Sequence, residues 1–187
     1  MNRPFTALGA LVIAAALLAG TPVRAEHKVG RLSLTPMVGG YVFEGNQDQK
    51  NAPAATLALG FNYTPNWGTE FALAYVDSEN KTGRKGDVDV GQIRWDVLYH
   101  FLPGSPVIPY LAAGLGSLIT NPDRGDTDAD FMVNYGGGLK FFIAENLALR
   151  ADIRHIYEVD DQYNNLIYSA GLVFQIAPRK PADGGNR

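Results

Sequence analysis

Ala54-Ala55-Thr56-Leu57-Ala58-Leu59-Gly60-Phe61-Asn62-Tyr63-Thr64 sorts into two sets by parity. Ala55, Leu57, Leu59, Phe61 and Tyr63 are mostly large and apolar, whereas Ala54, Thr56, Ala58, Gly60 and Asn62 are small or polar. A period of two places successive side chains on opposite faces of a strand, so this stretch reads as a strand with one greasy face.

The pattern recurs on both sides of that run. Thr69 to Asp77 sets Phe71, Leu73 and Tyr75 against Glu70, Ala72 and Ala74. Val90 to Phe101 sets Ile93, Trp95, Val97, Tyr99 and Phe101 against Gln92, Arg94, Asp96 and His100. Val107 to Thr120, Phe131 to Ile143, Leu147 to Tyr157 and Asn165 to Ile176 repeat the alternation. Leu32 to Phe43 makes an eighth strand, although Gly39-Gly40 blurs which way it faces. The connections alternate in length. Pro65-Asn66-Trp67-Gly68, Pro103-Gly104-Ser105-Pro106 and Ala144-Glu145-Asn146 read as tight turns. Glu44 to Pro53, Ser78 to Asp87, Asn121 to Asp130 and Glu158 to Asn164 read as longer polar loops. Short turns on one rim and long loops on the other are the pattern of an up-and-down antiparallel barrel.

Composition narrows the function classes. The 187 residues contain no Cys, which excludes a disulfide framework, a thiolate metal cluster and a Cys nucleophile. Sixteen Lys and Arg against 19 Asp and Glu give a net charge of −3, which argues against nucleic acid as a partner. The first 25 residues read as a secretory signal. Arg3 supplies the positive start, Ala7 to Gly20 an apolar run of 14 residues, and Val23-Arg24-Ala25 a small-x-small cleavage site after Ala25. Cleavage removes Arg3 and Arg24, so the mature charge is −3 − 2 = −5. No later run is long enough for a spanning helix, which needs about 20 apolar residues.

A soluble lipocalin-like barrel would also alternate, and three features favour a membrane barrel over it. The polar parity is rich in small residues (Ala58, Gly60, Ala72, Ala74, Ala112, Gly114, Gly116, Gly136 and Gly138), as an eight-stranded lumen just wide enough for side chains requires. Its charges nearly cancel. Glu70, Asp96 and Asp152 stand against Arg94, Lys140, Arg150 and Arg154, and enclosed charges must be paired. Aromatics of the apolar parity fall near strand ends, with Tyr63, Trp67, Tyr99, Phe101, Phe141 and Phe174 by the short turns and Tyr75 and Tyr157 by the long loops, as in interfacial girdles.

With this order on the page, the chain resembles the OmpA-like outer-membrane barrel family from about Leu32 to Ile176. The similarity is carried by Leu34 to Phe43, Asp96 to Phe101, Pro109 to Gly116, Asn134 to Lys140 and, most specifically, Leu147-Ala148-Leu149-Arg150-Ala151-Asp152-Ile153-Arg154-His155. The resemblance implies that Glu70, Arg94, Lys140 and Arg150 correspond to lumenal charges whose salt bridges plug or gate a narrow pore in the family. It also implies that Ser169, Gly171, Phe174 and Ile176 form a C-terminal signal read by the barrel-assembly machinery; the alternative is an ordinary final strand. Ala177 to Arg187 looks like the start of the linker that leads, in many members, to a peptidoglycan-binding domain; the sequence stops there, so the expectation does not carry over tethering to peptidoglycan.

Two other features call for a chemical reading. His155 sits on the outward parity, and some eight-stranded barrels deacylate lipid A with a His-x-Ser pair. Here Tyr157 stands in place of the serine, and a phenolic hydroxyl is poorly suited to acyl transfer, so no catalytic residue is assigned. Asp123, Asp126, Asp128 and Asp130 make one loop acidic, but the spacing fits no EF-hand, so they read as a solvated loop. No metal or cofactor is expected.

The resulting expectation is a signal peptide (1–25), an eight-stranded antiparallel up-and-down transmembrane β-barrel (26–176) and a flexible periplasmic tail (177–187). The protein would sit in the outer membrane as a monomer, in contact with its lipids and lipopolysaccharide. Its expected role is structural, supporting envelope integrity, with weak pore activity or surface recognition as additions. A porin-like diffusion channel is the alternative, and an enzyme of lipid A remodelling a more distant one.

Overall fold

A computed structural model describes residues 29–44, 51–79, 87–122, 128–160 and 162–176. The expected signal peptide, the tail and most of the long loops, including Asp123 and Asp126, lie outside the described residues. Eight strands run in chain order: β1 (Leu32–Val42), β2 (Ala52–Asn62), β3 (Trp67–Glu79), β4 (Asp87–His100), β5 (Val107–Pro122), β6 (Asp128–Ala144), β7 (Leu147–Glu158) and β8 (Asn164–Ile176). Each pairs antiparallel with the next, and β8 pairs with β1 to close the barrel. Closure pairs every strand on both edges, so none is left open to another chain. Among the described residues, no helix is long and apolar enough to cross a membrane.

The register fixes the slant of the strands. From Leu34, pairing runs through Leu59, Phe71, Trp95, Leu115 and Val133 to Tyr157. In the other direction it runs through Phe174 to Leu147. The two paths meet β7 at 157 and 147, an offset of 157 − 147 = 10 residues. A stagger of this kind is what tilts barrel strands by roughly 35–45°.

The alternation holds throughout. Leu57, Leu59, Phe71, Leu73, Trp95, Leu111, Leu115, Leu139 and Ile153 are exposed on the outer wall, and Ala58, Ala72, Ala74 and Ala112 are buried inside. The ambiguous strand resolves, with Ser33, Thr35, Met37, Tyr41 and Phe43 facing inward and Val38 outward. Gly40 is also outward. The Tyr168 ring covers it so closely that a Cβ would meet the phenol.

Several boundaries move. Trp67 and Gly68 belong to β3, leaving a turn in which Thr64 Oγ1 accepts from the N–H groups of Asn66 (3.3 Å) and Trp67 (2.9 Å). The β5–β6 ladder continues to Thr120↔Asp128, so Asn121, Pro122 and residues 128–130 of the stretch read as an acidic loop are strand. Asp130, expected in solvent, is buried on the inward face of β6 because that ladder carries the alternation past it. The aromatic girdle is also less confined than expected. Phe71 and Trp95 face each other across β3 and β4 in the middle of the wall, and Tyr135 is exposed partway along β6.

The β1–β8 seam is built on close approach. Its register is interrupted between Leu34 and Met37, where Pro36 brings no N–H to the ladder. A Cβ at Gly171 would collide with the Pro36 carbonyl oxygen, and one at Gly39 with the backbone of Tyr168. Gly171→Val is therefore expected to prevent refolding in detergent micelles, read as loss of the fast-migrating unboiled band on a gel. The lipid-side neighbour change Ala170→Val should leave that band in place.

Candidate functional site

The inward positions of β3, β4, β5 and β7 bring the predicted charges together in the middle of the lumen. Glu70 comes from β3, Arg94 and Asp96 from β4, and Arg150, Asp152 and Arg154 from alternate positions of β7. Strands β3 and β7 are not neighbours, so these side chains meet across the tube. Arg150 grips Glu70 with two hydrogen bonds, Nη1 to Oε2 at 2.5 Å and Nη2 to Oε1 at 2.9 Å. This two-pronged geometry is the strong form of an ion pair. Arg150 Nη2 also donates to Asp152 Oδ2 at 2.8 Å.

Asp152 is shared. Arg154 donates to it from Nε (2.8 Å to Oδ1) and from Nη2 (3.2 Å to Oδ2). Arg154 Nη1 reaches toward Asp96 at 3.6 Å, which links the β7 cluster to β4. Asp96 in turn accepts from Arg94 Nε (3.2 Å) and from Asn134 Nδ2 of β6 (2.8 Å), while Arg94 Nη1 donates to Gln92 at 2.7 Å. All six of these charged side chains are buried. The pairing offsets the cost of removing each charge from water, and the network holds facing walls of the barrel together.

Lys140, the fourth predicted cation, stands apart from this set. Its ammonium lies 2.9 Å from His100 Nε2 and 5.3 Å from the centre of the Tyr110 ring. Tyr110 is the member that the sequence did not single out. Its hydroxyl donates to Asp152 Oδ2 and accepts from Arg150 Nε at 2.7 Å. Alternation marks Tyr110 as inward, but only the crossing from β5 to β7 reveals its partners. Glu158 and Asp130 are also buried, nearer the long-loop rim, so three acids against four bases describes the predicted charges and not the whole lumen. Glu158 accepts from Asn165 Nδ2 at 2.5 Å.

Apolar layers flank the belt. Toward the long loops, Tyr41, Phe43, Ala52, Ala54, Ala74, Val76, Val90, Leu118, Met132, Ile156 and Ile167 form one buried cluster. Toward the short turns, Ile108, Phe142, Ala148 and Val173 form another. Along β7 the inward order reads Ala148, Arg150, Asp152, Arg154, Ile156, from apolar through ionic to apolar. These large apolar side chains lie on the parity read as small and ionic, because they fall toward the strand ends.

The remaining candidates take up separate places. His155 stacks on Tyr135 with ring centres 4.9 Å apart, and its Nδ1 is buried without a hydrogen-bond partner among the described residues. No serine stands at Tyr157, and nothing in that contact resembles a nucleophile held by a base. In β8, Ser169 is half-buried with its hydroxyl 3.6 Å from Met37 Sδ, Gly171 presses on β1, and Phe174 and Ile176 are exposed on the outer wall. No metal-holding group of three or more His, Cys, Asp or Glu exists among the described residues.

Breaking the central pair leaves an uncompensated buried charge, so Arg150→Met is expected to cost about 3–5 kcal/mol in a urea titration of the micelle-bound barrel. Adding Glu70→Gln to that variant should recover part of the loss.

Comparison with known proteins agrees with this architecture. The family described as outer membrane protein beta-barrel domain matches residues 10–175. Outer membrane porin F of Pseudomonas aeruginosa is 31% identical over 133 residues, which are 66% of this chain and 37% of that protein. The match thus spans little more than a third of that relative's length. The crystal structure of the N-terminal β-barrel domain of Pseudomonas aeruginosa OprF superposes with a TM-score of 0.58 at 22% identity, covering 79% of this chain and 98% of that one. Neisserial surface protein A gives a TM-score of 0.65 at 18% identity, covering 78% and 97%. These likenesses show a common fold, and the match over residues 10–175 shows the lineage. The chain belongs to the outer membrane protein β-barrel domain family, as its OmpA-like strands imply.

Proposed function

We propose that the protein is a non-enzymatic, structural barrel of the outer membrane, closed to solute flow, that supports the integrity of the envelope. The observation that carries this reading is the layered lumen, in which an ionic belt tied across the tube lies between two apolar clusters. A water-filled pore needs a continuous polar path, and on this reading the two apolar clusters narrow that path on either side of the belt, with buried polar side chains such as Lys140 and Glu158 beside them. Strands of 11 to 17 residues are long enough for the roughly 9–11 that a tilted strand needs to cross the hydrocarbon. On this reading the outer wall of Leu, Trp, Tyr and Phe side chains meets lipid and lipopolysaccharide acyl chains, and the barrel acts as a monomer. The exposed Phe174 and Ile176 are then available to the barrel-assembly machinery from the lipid side.

A narrow diffusion path is the second reading. It is favoured by the name of the relative, a porin, and by the family habit of gating through lumenal salt bridges. Planar bilayers separate the two. The closed-barrel reading expects silent membranes from the wild type and from Glu70→Ala alike, because the apolar layers remain. Discrete conductance steps that grow in Glu70→Ala would establish the channel instead.

A further inference from the structure

Between the strand ends the outer wall is apolar, with one exception. Apart from the long-loop ends of β3 and β4, His155 is the only His, Lys, Arg, Asp or Glu facing outward from a strand among the described residues. It lies 158 − 155 = 3 residues below the end of β7, roughly 8 Å down a tilted strand. Its imidazole stacks on Tyr135, its cross-strand partner in β6, with ring centres 4.9 Å apart. Nδ1 is buried without a hydrogen-bond partner among the described residues. Nε2 is left open to the outside, and no hydrogen bond from a described residue reaches it.

A polar nitrogen left bare in hydrocarbon is costly, so a hydrogen-bond partner from the lipid is favoured. With no acceptor at Nδ1, the ring proton that can be bonded is the one on Nε2. The wall beside it suits a chain. One row of the register runs from His155 through Tyr135 and Ala113 to Val97, three strand spacings or about 14 Å. Tyr135, Ala113 and Val97 line an apolar groove of about 470 Å³, bounded toward the short turns by Leu111, Tyr99 and Trp67. Ala113 is its floor, because its side chain is the smallest of the six. On the outer-membrane reading the long loops are extracellular, which puts His155 in the outer leaflet. A phospholipid carries its ester oxygens at the top of the hydrocarbon. A glycolipid whose chains bear hydroxyls or secondary esters carries oxygens several carbons deeper, nearer the depth of His155.

We propose that His155, Tyr135 and the groove floored by Ala113 bind one acyl chain of an outer-leaflet glycolipid. The Nε2 N–H of His155 donates to an ester or hydroxyl oxygen borne by that chain, and the apolar remainder lies in the groove over Ala113. Tyr135 forms the side shared by the two parts. The site rests on the reading of the outer wall as lipid-facing, and adds to it a preferred lipid with a fixed place.

The test titrates the whole protein, folded in detergent micelles, with purified lipid A and separately with phosphatidylglycerol, counting retained lipid by native mass spectrometry. The wild type is expected to hold lipid A more tightly than phosphatidylglycerol. His155→Leu suits a lipid-facing wall but removes the donor, so it should weaken lipid A about three- to tenfold and leave phosphatidylglycerol unchanged. Ala113→Phe fills the groove and should weaken lipid A with His155 intact. Equal affinity for the two lipids, or lipid A affinity unchanged in either variant, would overturn the site. If His155→Leu yields no folded barrel on the unboiled gel, magnetic resonance of the wild type with labelled histidine decides. One imidazole signal must then shift with lipid A and not with phosphatidylglycerol, and no such shift refutes the proposal. Planar bilayers judge the closed-barrel reading separately. A conducting barrel that still selects lipid A keeps the site, and a silent barrel whose variants bind lipid A equally loses the site alone.

Discussion

The structure depends on a single constraint: the sheet must close on itself. In hydrocarbon an unpaired backbone N–H or carbonyl costs several kcal/mol, and a sheet escapes that cost only by joining its last strand to its first. With eight strands and an offset of ten residues, the resulting tube is narrow. Narrowness then dictates the inward parity. Ala58, Ala72, Gly136 and Gly171 occur where neighbouring side chains or strands leave no room, and long side chains occur where they can reach across. The same narrowness excludes bulk solvent, so every charge turned inward must find a protein partner.

The ionic belt answers that second demand with shared partners. Asp152 serves Arg150, Arg154 and Tyr110 together, and Arg154 connects that cluster to Asp96 on a strand across the lumen. Charge pairs of this kind contribute less to stability than their geometry suggests, because both ions were well solvated in water. Their larger effect is on specificity. A slip of one residue in β7 would turn Arg150, Asp152 and Arg154 outward into lipid, so the belt fixes the register of the strand that carries it.

How much of this was legible in the sequence follows from what a period of two can encode. Alternation tells which side of the wall a residue occupies, so the six belt charges, Lys140 and the small lumenal residues could be placed from Glu70 to Arg154. It does not tell which residues meet across the tube. The roles of Tyr110 and the pairing of Lys140 with His100 therefore waited for the three-dimensional register. The facing of β1 was hidden because Gly39 and Gly40 have no side chain to declare a side, and the Tyr168 ring that covers Gly40 comes from the far end of the chain. The strand ends were misjudged around Asp130 because acidic residues read as loop, whereas a ladder already under way carries Asp130 inward.

The crossing of the belt from β3 and β4 to β7 bears on how the molecule comes apart. Peeling off any one of those strands would leave a guanidinium or carboxylate without its partner in a setting that solvates neither. Partial opening is thus costlier than its lost backbone bonds alone would suggest, which couples distant parts of the wall into one cooperative unit. Resistance to piecemeal loss follows from charges placed at the centre of the tube rather than at its mouths.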